Sequence, residues 1–361
     1  MKRVLLAVLL ALFVSGAGYS SLTSNDDGIW LMTSQHPEDL ALLDPFISSK
    51  KENGRALTVT LNTPESKLPE KVRKILRPIS PSEIRQYEYQ SRREPKADPK
   101  IQKLLLEVSP ASLKETVVKL ASVEDRGAGA LGNREIVDWA KSKFEILGYA
   151  TTLQCFRPRE CNVIAEKRGT SEPEKVVVVI AHMDSVGEPF AGADDNASGS
   201  AGALEMARLL SGKNSSKTIR FILANSEEEG MVGSYEYVEA LGTSVSNIEL
   251  VIAMDMIGYN SNGVLDVETN REFEGLARWF AEKVRAYTRL TPRIAIPAWG
   301  SDHVPFLEKG VPSLLPLEHW QTKTPCYHQE CDKPDTLNYE YAADITRVNI
   351  AVIVEKAGVE L

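Results

Sequence analysis

Val176-Val-Val-Val-Ile-Ala-His-Met-Asp-Ser-Val-Gly-Glu-Pro-Phe-Ala-Gly-Ala-Asp-Asp-Asn-Ala-Ser-Gly199 is the stretch whose reading decides the fold. Val176 to Ile180 shows no polar alternation, is β-branched throughout and follows the charged pair Glu174-Lys175. Such a run predicts a strand buried on both faces, as in a parallel sheet. It ends in His182, Asp184, Asp194 and Asp195. In open α/β sheets ligands bind in the crevice beyond the carboxyl ends of the strands, where these groups would lie.

Downstream the pattern repeats. Ser200 to Leu210 reads as an Ala- and Leu-rich helix pointing its N-terminus back at the aspartates. Thr218 to Ala224 is a second buried strand, ended by Asn225-Ser226-Glu227-Glu228-Glu229-Gly230, and Ser234 to Leu241 is a helix. Ile248 to Met254 is a third strand, stopped by Asp255. Three alternations of strand, loop and helix predict a doubly wound parallel sheet with helices on both faces. Upstream, amphipathic helices are expected at Leu113 to Leu120 and Asn133 to Phe144, then strands at Tyr149 to Phe156 and Cys161 to Glu166. Later come a strand at Val264 to Glu268, a helix from Glu272 to Tyr287, a long polar connection and a closing helix from Tyr341 to Ala357. A phosphate-binding loop is absent, since Gly187 and Gly192 lack the Lys-Ser/Thr that one requires.

The 361 residues are 43% hydrophobic and 25% charged, with room for one large domain and something smaller. Residues 1–17 have the anatomy of a secretory signal peptide: Lys2 and Arg3, an apolar run from Val4 to Val14, and Ser15-Gly16-Ala17. The run is shorter than the roughly 20 residues of a membrane span, and no Cys follows for lipidation, so a secreted or periplasmic protein without a stable membrane anchor is expected. The net charge is −8; losing Lys2 and Arg3 leaves 40 basic against 50 acidic residues, or −10, which argues against nucleic acid. The four cysteines fall into two local pairs, Cys155 with Cys161 and Cys326 with Cys331, read as two disulfides of an oxidising compartment. A polar linker around Tyr89 to Lys100 separates residues 18–103, a propeptide-like or accessory module, from a catalytic domain at 104–361. Arg92-Arg93 is a candidate processing site for a zymogen. Asn214-Ser215-Ser216 fits a glycosylation acceptor.

Taken singly, each acidic group is ordinary: a helix-start carboxylate, a turn residue or a cap. Together they form a pattern: three consecutive buried strands end in carboxylates, which would converge where uncompensated negative charge is costly. Cations are therefore required. His182, Asp195, Glu228, Asp255 and His328 suffice for two Zn2+ ions if one carboxylate bridges. Asp184, two residues from His182, is placed to support that imidazole. Glu227 is the candidate general base.

At these residues the sequence resembles the co-catalytic dizinc aminopeptidases of the bacterial leucyl aminopeptidase family, within the zinc exopeptidase group. The resemblance is carried by Ala181-His182-Met183-Asp184-Ser185, Gly192 to Gly199, Ser226 to Ser234, Met254-Asp255-Met256, Gly300-Ser301-Asp302-His303, Tyr327-His328 and Asp335-Thr336-Leu337, and it spans about Val108 to Leu361. It implies a three-layer α/β/α sandwich with a mixed, mainly parallel sheet of the phosphorylase/hydrolase-like type. It also implies one zinc on His182 and Asp255, the other on Glu228 and His328, and Asp195 as bridge. Asp195 rather than Asp194 is chosen because the family's ligand directly precedes the Asn/Asp-Ala/Gly-Ser-Gly turn. The loop from Cys326 to Asp335 is longer between the His and the Asp-Thr than the family pattern, and residues 18–103 lie outside that pattern.

The implied reaction is hydrolysis of the first peptide bond of peptides with a free N-terminus, by a monomer. Met256, Ile257, Trp299, Phe306 and Tyr327 point to an apolar first residue. Three rivals are a carboxypeptidase drawing on Arg271, Arg278 or Arg293, a single-zinc glutaminyl cyclase, and a non-catalytic binding module of the same fold.

Overall fold

The computed structural model describes residues 28–33, 37–53, 55–91 and 94–361. The expected signal peptide at 1–17 and the Arg92-Arg93 site lie outside the described residues. No helix among those described is long and apolar enough to cross a membrane.

Two sheets are present among the described residues. Strands β1 (Ile29–Met32), β2 (Ile47–Asn53), β3 (Ala56–Leu61) and β4 (Leu76–Ile79) make an antiparallel sheet in the order β2-β3-β1-β4. Its small core gathers Met32, Leu43, Val59, Leu68, Val72 and Leu76. The second sheet has nine strands: β5 (Arg85–Glu88), β6 (Ala150–Arg157), β7 (Glu160–Lys167), β8 (Glu172–His182), β9 (Lys217–Ala224), β10 (Ile248–Ala253), β11 (Val264–Glu268), β12 (Thr291–Ile296) and β13 (Ser313–Glu318). Their order is β5-β12-β11-β13-β10-β8-β9-β7-β6. The centre, β13-β10-β8-β9, is parallel throughout, while β5, β6 and β7 join antiparallel toward the edges.

The apolar run explains why this sheet is sandwiched. Val177, Val179 and Ala181 pack into the layer built with the helices at Pro110–Leu120, Leu131–Ile146, Gly199–Leu210, Glu274–Tyr287 and Tyr339–Ala357. Val176, Val178 and Ile180 point the other way, toward Tyr237, Val238 and Phe306. From Val176 onward both faces of β8 are buried, and the first polar side chain of that run is His182, at the strand's last residue. The three-layer mixed α/β fold expected from the sequence is the one observed.

Two features differ from the sequence reading. The polar connection after Tyr287 contains β12 and β13, and β13 is an interior strand. Their Pro292 and Pro316 interrupt the β-branched signal. In addition, β5 lies within the stretch read as module and linker, yet it pairs with β12 from Arg85↔Ile296 to Glu88↔Arg293. The disulfides Cys155–Cys161 and Cys326–Cys331 both form as expected; the first ties β6 to β7.

Candidate metal centre

The parallel centre of the sheet places the candidate residues side by side. His182 ends β8, Glu227 and Glu228 follow β9, Asp255 follows β10, and His328 sits on the loop after β13. Asp195 lies in the tight turn at Ala193–Ser198 that leads into the helix at Gly199–Leu210. That turn needs its glycines. A Cβ on Gly192, whose φ is +58°, would lie 2.3 Å from the Asp195 carbonyl oxygen, and one on Gly199 would lie 2.2 Å from the Met254 carbonyl oxygen. Ser226, Met256 and His328 are non-glycine residues with φ between 50° and 59° beside the cluster, a conformation held only where the surroundings enforce it.

Among the described residues the donor atoms form three overlapping groups: two share Asp195, and the third joins His182 with Glu227 and Glu228. His182 Nε2 lies 3.3 Å from Asp195 Oδ1 and 3.5 Å from Asp255 Oδ1. His328 Nε2 lies 3.0 Å from Asp195 Oδ2 and 3.2 Å from Glu228 Oε2. Ligands about 2.1 Å from a tetrahedral zinc stand roughly 3.3 Å apart, so the two groups that share Asp195 have the spacing of such a site. His182 Nε2, Glu228 Oε1, Asp255 Oδ1 and His328 Nε2 are buried without a hydrogen-bond partner. Polar atoms left this way are costly, and a cation satisfies them. The residues present fit zinc.

Electrostatics say the same. Burial drives the Glu228 carboxyl up to about 7, with the charge of Asp195 adding to the effect and His328 opposing it. Burial also drives Glu227 well above the carboxylate range, against the pull of His182. Burial opposes a charged His328, but its contacts with Asp195 and Glu228 prevail and raise it to about 10. Burial likewise opposes charge on Asp195, yet His182 and His328 hold its carboxyl below the usual range. These opposed shifts are the mark of clustered acids and imidazoles short of positive charge.

Around the donors lies a layer of fixed supports. Asp184 Oδ1 is 3.6 Å from His182 Nδ1, and Asp184 Oδ2 accepts the Glu228 backbone N–H at 3.2 Å, so one carboxylate steadies two loops. Glu227 Oε2 is 3.9 Å from His182 Nε2. Asp194 turns away and accepts the Gly258 N–H at 2.8 Å, bracing the segment after Asp255.

The sequence reading singles out every donor that meets here but misses four contributors. Ser301 Oγ donates to Asp255 Oδ2 at 2.8 Å. Asp332 accepts the backbone N–H groups of Asp194 and Asp195 at 2.8 and 3.1 Å, anchoring the disulfide-closed His328 loop to the turn. Arg126, fully buried, donates to the carbonyls of Leu120, Met183, Ala191 and Gly192. The fourth is Arg55, at the tip of the β2–β3 hairpin, whose Nη2 lies 3.9 Å from Asp255 Oδ2. Ser301 lies within the Gly300-Ser301-Asp302-His303 segment that carries the resemblance, but the sequence assigns it no role; the other three carry no local signal.

Comparison with known proteins follows the same outline. The pattern defining peptidase family M28 matches residues 162–353. Aminopeptidase YwaD of Bacillus subtilis is 37% identical over 159 residues, 42% of this chain and 33% of that protein. The chain spans from 18% to 57% of the length of curated relatives it matches. Among solved structures, the LapA aminopeptidase of Legionella pneumophila superposes with a TM-score of 0.69 at 20% identity, covering 91% of this chain and 98% of its own. A glutaminyl cyclase of Porphyromonas gingivalis superposes with a TM-score of 0.60 at 21% identity, covering 69% of this chain and 99% of its own. The fold alone therefore does not separate these activities.

Proposed function

Because this chain belongs to peptidase family M28, we propose that it is a zinc aminopeptidase that removes the first residue from peptides with a free N-terminus. The observation that carries the reading is that two of the three overlapping donor groups share Asp195. His182 and Asp255 would hold one zinc, Glu228 and His328 the other, and Asp195 would bridge them. When bound, the two ions supply Lewis-acid polarisation of the scissile carbonyl and bring the pKa of water toward neutrality. Glu227 takes the proton of the attacking water on its carboxylate and returns it to the departing amine. Asp184 fixes the orientation of the His182 ring. The acidic surroundings attract an α-ammonium group and disfavour a free carboxylate.

The rivals have less support. Arg278 is held by Glu274 and Tyr87 and Arg293 by Gln86 and Asp266, so neither is free to serve a substrate carboxylate, while Arg271 is exposed and reaches Ser82. A single-zinc cyclase would leave one donor group without a cation. Preference for an apolar first residue rests on Trp299 and Tyr327, because Met256, Ile257 and Phe306 lie in the core. Export through a leader at 1–17 and a zymogen role for residues 18–103 complete the proposal.

The test compares zinc content and hydrolysis of aminoacyl-p-nitroanilides. Glu227→Gln is expected to keep both metals and lose most turnover, on the order of 100-fold or more. Glu228→Gln is expected to impair metal binding itself. A Glu227→Gln protein with near-normal turnover removes the proposed base.

A further inference from the structure

Hairpin tips normally face water, yet Arg55, in the turn between β2 and β3, is only 7% exposed and reaches the metal centre from another sheet. Its guanidinium carbon lies 6.0 Å from the Trp299 ring centroid and 5.2 Å from that of Trp320, within the range of cation–π attraction. Nη2 donates to the Gly300 carbonyl, and the charge faces Glu268, Asp255 and Glu227. Nε and Nη1 are buried without hydrogen-bond partners. An arginine selected to stabilise the seam would be expected to use its five donors, because burying an incompletely bonded guanidinium is costly.

The seam does not need it. Trp299 Nε1 donates to the Met32 carbonyl at 2.7 Å, and Leu31, Ala56 and Ile79 form an apolar contact beside Trp299. Arg55 also stays clear of the donor atoms: it approaches Asp255 Oδ2, the oxygen already bonded to Ser301, whereas Oδ1 faces His182. The cleft lined by Asp195, His328 and Asp332 leaves no room even for a water molecule, so it does not admit a peptide in this conformation.

We propose that Trp299, Trp320, Gly300, Asp255 and Glu268 form an alkylguanidinium-binding subsite beside the metal centre, and that Arg55 fills it in cis. Arg55 thus lies across the approach to the metal centre, and the full chain is held occluded until Arg55 withdraws. Only the consequence for hydrolysis rests on the aminopeptidase reading; the subsite itself does not.

The experiment uses the zinc-loaded full chain as wild type, Arg55→Ala and Arg55→Lys, with agmatine as the probe. Binding is read by tryptophan fluorescence, and leucyl-p-nitroanilide hydrolysis is measured alongside. Arg55→Ala is expected to bind agmatine about tenfold or more tighter than wild type, and to gain about tenfold or more in kcat/KM through a lower KM, with zinc content unchanged. Arg55→Lys, which keeps the charge but loses the planar fork, is expected to fall between them and serves alone should Arg55→Ala not fold. Folded variants that neither bind agmatine nor change in kcat/KM overturn the proposal. So does Arg55→Ala that keeps its zinc and loses hydrolysis, since Arg55 would then serve the substrate. Agmatine binding with no hydrolysis by any form leaves the subsite standing and removes the peptidase reading instead.

Discussion

Replacing Arg126 with Met keeps the length and apolar stem of the side chain and removes its guanidinium. Four carbonyls, of Leu120, Met183, Ala191 and Gly192, then lose a charged donor in a site that is 2% exposed. Each hydrogen bond to a charged group contributes about 1.5–3 kcal/mol, but bonds to one guanidinium are not additive, and losing a buried network costs about 3–5 kcal/mol. The expected loss is therefore about 4 kcal/mol, a large part of the stability of an ordinary domain. The loss has a functional direction as well. Met183 and Gly192 bracket the loop between His182 and Asp195, and the Arg126 charge faces Asp332, Asp184, Asp195 and Glu228. Zinc affinity should fall about 10–100-fold, the usual effect of removing an outer support. Urea unfolding of the disulfide-intact, zinc-loaded protein measures the first quantity, and competition with a chelator of known affinity measures the second. A loss under about 1 kcal/mol with unchanged zinc affinity would refute the reasoning, because the carbonyls would then have found other partners.

Two further substitutions separate the supports from the donors. Asp332→Asn leaves one of the two backbone N–H groups of Asp194 and Asp195 facing an NH2 group, and a loss of about 1–3 kcal/mol in stability with about tenfold weaker zinc binding is expected by the same two assays. Ser301→Ala removes the bond that fixes Asp255 Oδ2, and chelator competition should show about tenfold weaker binding of one of two zincs, with the zinc-loaded protein losing about 1.4 kcal/mol, the equivalent of that tenfold.

The buried strands were legible because sandwiched parallel strands must be apolar on both faces, and Val176 to Ala181, Phe221 to Ala224 and Leu250 to Ala253 satisfy that requirement within β8, β9 and β10. The donors were legible for a related reason: carboxylates and imidazoles that end neighbouring buried strands converge in one crevice, where only a cation makes their burial tolerable. What stayed hidden depends on tertiary contact. β5 reads Arg-Gln-Tyr-Glu and is a strand only because β12 offers an edge. The contact of Arg55 with Gly300 crosses 245 residues, and that of Asp332 with Asp194 crosses 138. Neither residue belongs to a local pattern that would predict its partner. Arg126 is a single basic residue before a glycine, and its four carbonyl partners exist only after the chain has closed around it.

The central claim is that two cations share Asp195. Zinc per chain, measured by elemental analysis after exhaustive removal of free metal and followed through stepwise reconstitution of the chelated protein, tests it most directly. A plateau at two zinc ions per chain is expected, reduced to one by His328→Ala, with aminoacyl-p-nitroanilide hydrolysis rising as zinc returns. A plateau at one ion, with full activity at that loading, would contradict the claim.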